Sequence, residues 1–356
     1  MPFIEIKSLT KTQQLKNFIK EALGKNEIKA GDSILSESEL ARKCKVSSVT
    51  VRRAIKELVK EGFLYSVQGK GTFVRDRNKS RSCTRIVSLL YPKKNESSLS
   101  WRTHFSEWTK YLGEELSLYD YQLSHYSLSS KGDISRILNK NFLSDGFILM
   151  NSIWNIQNEL LKKNCHFVAL IARIEDSRIN SVVVNQYEGA YQATMYLIEN
   201  GYKRIAVISG PQKSLGYHQR VKGYLAALED KGIKKDRELI KIVSLGGEES
   251  GYQAMNSLLK LKRPPQAVFC LSDFKAIGAI EVAKGKGLKI PQDIAIMGFD
   301  DIEISKNLKP PLTTVRVPKD KIARAGIKLL MESIINPKFK PRHEVVKTEL
   351  ITRKST

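Results

Sequence analysis

Two adjacent arginines, Arg52 and Arg53, lie near the start of a segment with helical apolar spacing. Arginine presents a planar fork of donors that binds guanine edges and phosphate groups. Ser47 or Ser48 is placed to cap the start of this helix. A helix fits the major groove of B-DNA, where the side chains of its first turns reach base edges. The segment therefore predicts a DNA-recognition helix.

A shorter helix is predicted before the recognition helix, because Ser36 and Glu39 have the spacing of a capping box. It ends near Lys45, and a tight turn leads into the recognition helix. The apolar side chains of the recognition helix are predicted to pack inward: Val51, Ala54, Ile55 and Leu58. The side chains predicted to face DNA are Ser36, Ser38, Ser47, Ser48, Val49, Thr50, Arg52 and Arg53.

Two β-rich runs, 63–67 and 72–74, follow the recognition helix and flank a turn that contains two glycines. This pattern predicts a β-hairpin. Glycine also lets a backbone approach a duplex closely. Gln68, Gly69 and Lys70 at the tip are therefore further predicted DNA contacts, with Lys70 directed at a minor groove or a phosphate.

Together these residues resemble the winged-helix domain of the gluconate-repressor (GntR) family of bacterial regulators, over residues 13–75. The resemblance is carried by E-L-A-x(4)-V-S-x-x-T-V-R-R-A and by Q-G-K-G-T-F-V. The family often has arginine where Ser38 and Ser48 stand. These two departures concern the operator sequence and leave the expectation of double-stranded DNA binding unchanged.

The charge of the chain supports a nucleic-acid partner. Residues 1–84 carry 18 of the 60 Lys and Arg and 9 of the 37 Asp and Glu, so the net positive charge per residue is about twice as high there as in the rest. The cysteines at 44, 83, 165 and 270 have neither zinc-ligand nor redox spacing. No apolar run reaches membrane-spanning length. We expect a cytoplasmic protein without metal, cofactor or membrane partner.

The chain after the hairpin changes character twice. Residues 75–84 are polar and basic without periodicity, which is typical of a linker. Residues 85–356 alternate short apolar runs with helical segments, which predicts doubly wound parallel sheets in two α/β lobes. The predicted domains are therefore a winged helix (1–74), a linker (75–84) and a two-lobed domain (85–356).

The predicted strands of the two lobes are 86–91, 121–128, 146–150, 166–172, 182–184, 204–209, 239–245, 267–271 and 294–299. The predicted helices are 102–118, 153–164, 187–200, 214–231, 249–261 and 273–286. Ligands of such sheets bind outside the carboxyl ends of the strands. The expected ligand site is the cleft between the lobes.

Five strings in the second half resemble the sensor domain of the lactose/galactose-repressor family, which shares its fold with periplasmic sugar-binding proteins. They are NQYEGAYQATMYLIENGYKRIAVISGP, RVKGYLAAL, AVFCLSDFKAIGAI, IPQDIAIMGFDD and PPLTTVRVP. A winged helix joined to this sensor resembles the arabinose-responsive repressors of bacteria. The resemblance implies a periplasmic-binding-protein-like sensor and a small sugar effector.

The resemblance places Arg220 and Asp300 at sugar-binding positions of the family. Arginine and aspartate suit paired sugar hydroxyls, since both are planar and bind in a bidentate way. Two plainer interpretations stay open from the residues alone. Asp300 is otherwise a helix cap, and Arg220 is otherwise a surface helix residue.

Several positions depart from the family pattern of the sugar site. An Asn-Asp pair is replaced by Ser272-Asp273, an aspartate by Ala172, and an aromatic wall by Gly246. Ser272 keeps one hydrogen-bonding hydroxyl, whereas Asp273 either faces the ligand or caps the following helix. These changes predict a ligand geometry different from that of the lactose and galactose repressors.

Two further residues are candidate effector contacts. Arg173 either reaches the cleft or pairs with Glu175 or Asp176 on the surface. Trp101 either stacks on a sugar face or is a core residue at a helix start.

The combined expectation is a homodimeric repressor that binds a palindromic operator and is released by a small sugar, with L-arabinose as the first candidate. The alternatives keep the class but make the ligand a co-repressor or the protein an activator. A transport sugar-binding protein is a weaker alternative because of the winged helix. An enzyme is not expected, since the chain has no nucleophile elbow, and SGPQKS (209–214) lacks the pattern of a phosphate loop.

Overall fold

The computed structural model describes residues 10–24, 28, 31–61, 63–67, 71–74, 84–93, 99–129, 133, 144–150, 156–171, 176–243, 247–336 and 338–356. Three helices and a hairpin form the first unit: α1 (Lys11–Gly24), α2 (Glu37–Cys44), α3 (Ser48–Lys60), β1 (Leu64–Val67) and β2 (Gly71–Val74). The two strands pair antiparallel, with Val67 opposite Gly71. This unit is the predicted winged helix-turn-helix.

The start of each short helix is fixed by the serines that the sequence indicates. Ser36 and Glu39 form the reciprocal capping box at the start of α2. The α2 helix ends where Lys45 adopts a left-handed backbone conformation, and Ser47 then caps α3 by accepting a hydrogen bond from the Thr50 amide. Ser48 is therefore the first residue of α3 and not its cap.

The apolar face of α3 packs inward as predicted. Val51, Ala54 and Leu58 are fully buried and Ile55 is nearly so. They form one small core with residues of α1, α2 and the hairpin, among them Leu15 and Leu64. This core fixes how the first turn of α3 is presented to solvent.

The described residues from 84 onwards form two six-stranded sheets, one in each of two lobes. The first lobe has the strand order β13-β7-β6-β5-β3-β4, and all of its pairs are parallel. Its strands are β3 (Ile86–Pro92), β4 (Gln122–Leu128), β5 (Gly146–Met150), β6 (Phe167–Leu170), β7 (Asn180–Val184) and β13 (His343–Val346). Its helices are α4 (Leu99–Ser117), α5 (Ile156–Lys162) and α10 (Lys319–Ile335).

The second lobe has the strand order β14-β12-β11-β10-β8-β9, parallel except for β14 against β12. Its strands are β8 (Ile205–Ser209), β9 (Ile240–Ile242), β10 (Ala267–Cys270), β11 (Ala295–Asp300), β12 (Thr313–Arg316) and β14 (Glu349–Ile351). Its helices are α6 (Gln186–Glu199), α7 (Leu215–Asp230), α8 (Glu248–Leu259) and α9 (Asp273–Gly285). A 3-10 helix, Glu303–Asn307, follows β11.

The chain passes between the lobes three times: after β7, after β12 and after β13. The helix α10 therefore packs on the sheet of the first lobe and against α4, although β12 before it belongs to the second lobe. The predicted strands and helices between 86 and 299 are confirmed within a few residues. The sequence interpretation assigned no elements after 299, so β12, α10, β13 and β14 are additions from the structure.

Buried strands explain why the sequence reads as continuous apolar runs. Every residue of β5, β8 and β10 is buried, because helices cover both faces of each sheet. Within the described residues, no helix combines the length and apolar character needed to cross a bilayer.

Candidate functional site

The first candidate surface is formed by the starts of α2 and α3. Val49, Arg52 and Arg53 are exposed at the start of α3, Ser36 caps α2, and Ser38 lies in the first turn of α2. The hydroxyls of Ser36 and Ser38 are 3.1 Å apart. Thr50, which is partly buried, has its hydroxyl 2.8 Å from that of Ser47.

A salt bridge joins the two helices across this surface. The Arg52 Nε donates to Glu37 Oε2 at 2.8 Å. Arg53 pairs instead with Glu57, one turn further along its own helix, at 3.3 Å. The side chains of Arg52 and Arg53 are 71% and 75% exposed, so both pairs stand in water, where such bridges contribute little to stability. Both guanidinium groups can therefore change partner at small cost.

A second network of charged side chains joins the recognition helix α3 to α1. The Lys16 ammonium on α1 contacts Glu57 at 2.8 Å and Glu61 at 2.5 Å, and Lys20 contacts Glu61 at 2.7 Å. These hydrogen bonds raise the pKa of Lys16 and lower the pKa of Glu57 and of Glu61. The network fixes α3 against α1.

The predicted wing-tip contacts Gln68, Gly69 and Lys70 lie outside the described residues.

The second candidate site is built around Arg220 on α7. Its Nε donates to Gln186 Oε1 at 2.7 Å, and its Nη1 donates to the Leu271 carbonyl at 2.7 Å. Its Nη2 meets Asp300 Oδ1 at 3.1 Å. The guanidinium also lies over the Phe299 ring, 3.7 Å from the centroid. Arg220 is buried, so the interpretation of it as a surface helix residue is wrong.

Asp300 is the last residue of β11, at the carboxyl edge where ligands of parallel sheets bind. Its backbone has φ 114°, a region that side chains other than glycine rarely adopt. Asp301 next to it accepts hydrogen bonds from Arg316 Nε and Arg353 Nη2, both at 2.7 Å. These two arginines anchor the turn after β11, and the strained turn aims the Asp300 carboxylate at Arg220.

Asp273 has a different role from Asp300. Its carboxylate is fully buried and accepts hydrogen bonds from the Ile302 amide at 2.9 Å, Ser305 Oγ at 2.7 Å and Thr314 Oγ1 at 2.6 Å. Burial, followed by the nearby charge of Asp300, raises the pKa of Asp273 to about 6. The carboxylate thus ties β12 and the segment after β11 to the start of α9.

Ser272 precedes Asp273 as the N-cap residue of α9, but its side chain makes no capping hydrogen bond. It is buried beside Leu271, whose carbonyl binds Arg220. Ser272 therefore lies next to the Arg220 cluster, while Asp273 makes all three of its side-chain contacts within the second lobe. The alternative that Asp273 caps α9 is wrong, since it is the first residue of that helix.

The structure adds residues that sequence reasoning missed. Gln186 is at the start of α6, and its side-chain oxygen accepts a hydrogen bond from Arg220 Nε. Lys275 Nζ lies 3.5 Å from the Tyr217 hydroxyl, and the Tyr217 ring also faces the Arg220 guanidinium. Gln186 and Lys275 are distant from Arg220 in sequence, although both lie within the family strings quoted above. Tyr217 is three positions before Arg220 on α7, so helical spacing was a further available signal.

The first lobe contributes residues of α4. Glu107 Oε2 pairs with Lys319 at 2.5 Å, and Glu107 Oε1 accepts the Glu303 amide of the second lobe at 3.2 Å. His104, one turn earlier, is partly buried, and its Nδ1 has no hydrogen-bond partner. Trp101 belongs to α4, but its side chain is outside the described part, as are Arg173, Ala172 and Gly246.

The described residues thus define a class of protein: a winged helix-turn-helix joined to a two-lobed α/β domain with a buried arginine–aspartate pair at the carboxyl edge of one sheet. Residues 11–74 match the family described as "Bacterial regulatory proteins, gntR family". Residues 194–356 match the family described as "Periplasmic binding protein-like domain". The chain therefore combines a GntR-type DNA-binding domain with a periplasmic-binding-protein-like sensor domain, and the two domain types predicted from sequence are confirmed.

Two similar proteins are named as repressors. The chain is 38% identical over 218 residues to the probable HTH-type transcriptional repressor ExuR of Bacillus subtilis, a match that covers 59% of this chain and 64% of ExuR. It is 29% identical over 350 residues to the repressor CytR of Escherichia coli K12, covering 92% of this chain and 98% of CytR. These names agree with the expectation of a regulator rather than an enzyme.

A solved structure supports the same fold. A regulatory protein of the LacI family from Chloroflexus aggregans superposes with a TM-score of 0.67 at 28% identity, covering 76% of this chain and 98% of that protein.

Proposed function

We propose that this chain is a sugar-responsive transcriptional repressor. As a homodimer it binds a palindromic operator through two winged helices, and a small sugar between the two lobes releases it. The observation that carries the sensor half is the Arg220–Asp300 pair at the carboxyl edge of β11, held in place by Gln186 and by the Leu271 carbonyl. The repressor names of ExuR and CytR support the regulatory half.

The chemistry of the Arg220 cluster suits a polyhydroxylated ligand. A guanidinium and a carboxylate 3.1 Å apart offer donors and acceptors side by side, as adjacent hydroxyls require. The Phe299 and Tyr217 rings supply apolar surface beside them. L-arabinose is the first candidate, on the resemblance of the architecture to arabinose-responsive repressors. Ser272, Arg173 and Trp101 remain proposed neighbours of the sugar. Asp273 is proposed to support the site through its hydrogen bonds to Ile302, Ser305 and Thr314.

The proposed DNA binding depends on exposed side chains, of which Arg52 and Arg53 can exchange their carboxylate partners for DNA groups. Ser38, Ser48, Val49, Arg52 and Arg53 are proposed to face the operator. The remaining proposed contacts are Ser36, Ser47, Thr50 and the wing-tip residues Gln68, Gly69 and Lys70. The boundaries 1–74, 75–84 and 85–356 are proposed for the winged helix, the linker and the sensor, and the cytoplasm is the proposed location.

Release requires the sugar to prefer one arrangement of the lobes. The Glu107 carboxylate of α4 already accepts the Glu303 amide across the cleft, so the lobes touch next to the proposed site. A sugar bound to both lobes stabilises one such arrangement. The dimer then presents its winged helices at a spacing that does not fit both half-sites. A tenfold loss of operator affinity needs about 1.4 kcal/mol of coupling.

The test is a thermal-melt screen of the purified protein against pentoses, hexoses and their phosphates, with L-arabinose first. A sugar that binds the native state raises the melting temperature by mass action. Asp300→Asn should abolish the shift, because it removes the charge opposite Arg220. Asp176→Asn is the matched control, since Asp176 pairs with Arg178 on the surface.

The same sugar is then added to a complex with operator DNA selected from random-sequence fragments. Release of the DNA supports a repressor that is inactivated by its ligand. Tighter DNA binding makes the sugar a co-repressor, and the proposed direction of control is then wrong. If no sugar shifts the melting temperature of the wild-type protein, the sugar assignment fails.

A further inference from the structure

His104 holds an unsatisfied polar atom inside the molecule. Its Nδ1 is fully buried and has no hydrogen-bond partner, and it is the one buried side-chain nitrogen or oxygen among the described residues for which this holds. Buried polar atoms are almost always paired, because leaving one unpaired is destabilising. A buried imidazole nitrogen without a partner therefore marks a place where a polar group is expected to bind.

The position of His104 on α4 shows where that place is. Glu107 lies three residues further along, on the same face of the helix, and it reaches the Glu303 amide of the second lobe. The charges that act on the His104 ring are those of Asp300, Lys319, Glu107 and Arg220. His104 therefore lies on the first lobe, one turn from the Glu107–Glu303 contact between the lobes and within electrostatic range of the Arg220–Asp300 pair.

The imidazole is uncharged near neutral pH. Burial lowers the pKa of His104, and the opposing influences of Asp300 and Glu107 on one side and of Lys319 and Arg220 on the other do not reverse the shift. A neutral imidazole has one nitrogen that donates and one that accepts. A neutral imidazole therefore suits a hydroxyl group, which can both donate and accept a hydrogen bond.

We propose that His104 is the contact of the first lobe with the effector, through a hydrogen bond between its Nδ1 and a sugar hydroxyl. This inference rests on the proposed function and names the residue that completes the sugar site. The ligand then bridges Arg220 and Asp300 in the second lobe to His104 in the first, which links binding to the relative arrangement of the lobes. It also makes His104 a specificity residue, because an analogue without that hydroxyl leaves Nδ1 unpaired again.

Two variants separate the hydrogen bond from the volume of the ring. His104→Phe keeps a ring and removes the polar atom. His104→Asn keeps a hydrogen-bonding atom near the position of Nδ1. His343→Phe is the matched control, since the Nδ1 of His343 is already paired with Ser181 Oγ at 2.7 Å. Each protein is melted without sugar and with each sugar of the panel described above.

His104→Phe is expected to melt a few degrees higher than the wild type without sugar, because the unpaired atom is gone. Its affinity for the sugar that stabilises the wild type should fall at least tenfold, whereas His104→Asn should retain most of the affinity. His343→Phe should leave the sugar affinity unchanged and should not raise the melting temperature.

Two outcomes overturn the inference and leave the sugar assignment intact. If both His104→Phe and His104→Asn melt lower than the wild type and His104→Asn binds the sugar as weakly as His104→Phe, the ring and not a hydrogen bond of Nδ1 matters, and the inference is wrong. An unchanged sugar affinity in His104→Phe also overturns it. If His104→Phe melts higher and no sugar binds the wild type, the atom is unpaired in the free protein, but the proposed hydrogen bond fails together with the sugar assignment.

Discussion

The arginines of the two candidate sites differ in how firmly they are held. Arg52 and Arg53 on α3 are 71% and 75% exposed, and one carboxylate holds each of them. The Arg220 side chain is 11% exposed and is held by Gln186, the Leu271 carbonyl and Asp300. A surface arginine exchanges its partner for a phosphate or a base at little cost. A buried arginine is fixed before its ligand arrives, and removing it leaves charge uncompensated.

This contrast matches what each site is proposed to recognise. An operator is a large polyanion, and exposed side chains adjust to it while its counterions are released. A small sugar offers few contacts, so the protein gains affinity by fixing the geometry beforehand. The strained backbone of Asp300, at φ 114°, is part of that fixed geometry.

The largest effect is expected from Arg220→Met. It leaves the buried Asp300 carboxylate without its cation, and breaking a buried pair in this way costs about 3–5 kcal/mol. Denaturant unfolding should show a loss of that order, and the sugar-induced thermal shift should disappear. Arg52→Met, measured in parallel, should change the unfolding free energy by less than about 1 kcal/mol. Equal losses in the two variants would remove the contrast between the sites.

The next effect concerns the buried carboxylate of Asp273. Its pKa is raised from 3.8 to about 6, so its contribution to stability is complete below pH about 4 and is lost as the pH rises through about 6. The shift corresponds to about 3 kcal/mol. Asp273→Asn should remove this part of the pH dependence of the unfolding free energy between pH 4 and 7.

Asp176 provides a comparison, because its contribution to the unfolding free energy depends on pH in the opposite direction. Hydrogen bonds from Arg178 lower the pKa of this partly buried carboxyl from 3.8 to about 2. Its contribution is present above pH about 4 and is lost as the pH falls towards 2. Asp176→Asn should therefore leave the pH 4 to 7 profile unchanged. A profile of Asp273→Asn identical to that of the wild type would show that Asp273 has an ordinary pKa.

A smaller effect, on binding and not on stability, is expected from Arg52→Ala. The affinity for operator DNA selected from random sequence should fall about 10- to 100-fold, which corresponds to about 1–3 kcal/mol. The melting temperature and the sugar-induced shift should not change. Arg178→Ala is the control, because Arg178 is an exposed arginine that also pairs with a carboxylate but lies in the sensor domain. Undiminished operator affinity would exclude Arg52 from recognition.

Local patterns were sufficient for the winged helix and for most of the two sheets. The capping box at Ser36, the inward face of α3 and the apolar strands depend on residues close in sequence, so periodicity and capping chemistry indicate them. The strands β13 and β14 were not predicted. Each is only three or four residues long and belongs to a different lobe, so its role depends on how the chain crosses between sheets.

The candidate sensor site was predicted only at its centre. The family motifs indicated Arg220 and Asp300, but the support for them comes from distant residues. Asp273 is bound by groups 29 to 41 positions further along the chain, which no local pattern reveals. Gln186 is 34 positions from Arg220, and His104 lies in the other lobe. These partners meet only because α4 and the carboxyl edge of β11 are brought together by the fold.

The smallest expected effect sharpens the idea that Arg52 changes partner. Glu37 accepts Arg52 Nε at 2.8 Å in the free protein, so part of the positive charge of the recognition helix is neutralised. Glu37→Gln keeps an acceptor for Arg52 but removes the negative charge. We expect tighter non-specific DNA binding and a plot of log K against log salt that is steeper by about 0.9, the value for one additional phosphate contact. The unfolding free energy should change by less than about 1 kcal/mol, as for other exposed pairs. Fluorescence anisotropy titrations over a range of salt concentrations measure this slope. Glu159→Gln is the control, since Glu159 pairs with Lys162 and lies far from α3 in sequence. An unchanged slope in Glu37→Gln would mean that Glu37 does not limit the charge that Arg52 presents to DNA, because exchange of its partner is already complete in the wild-type complex.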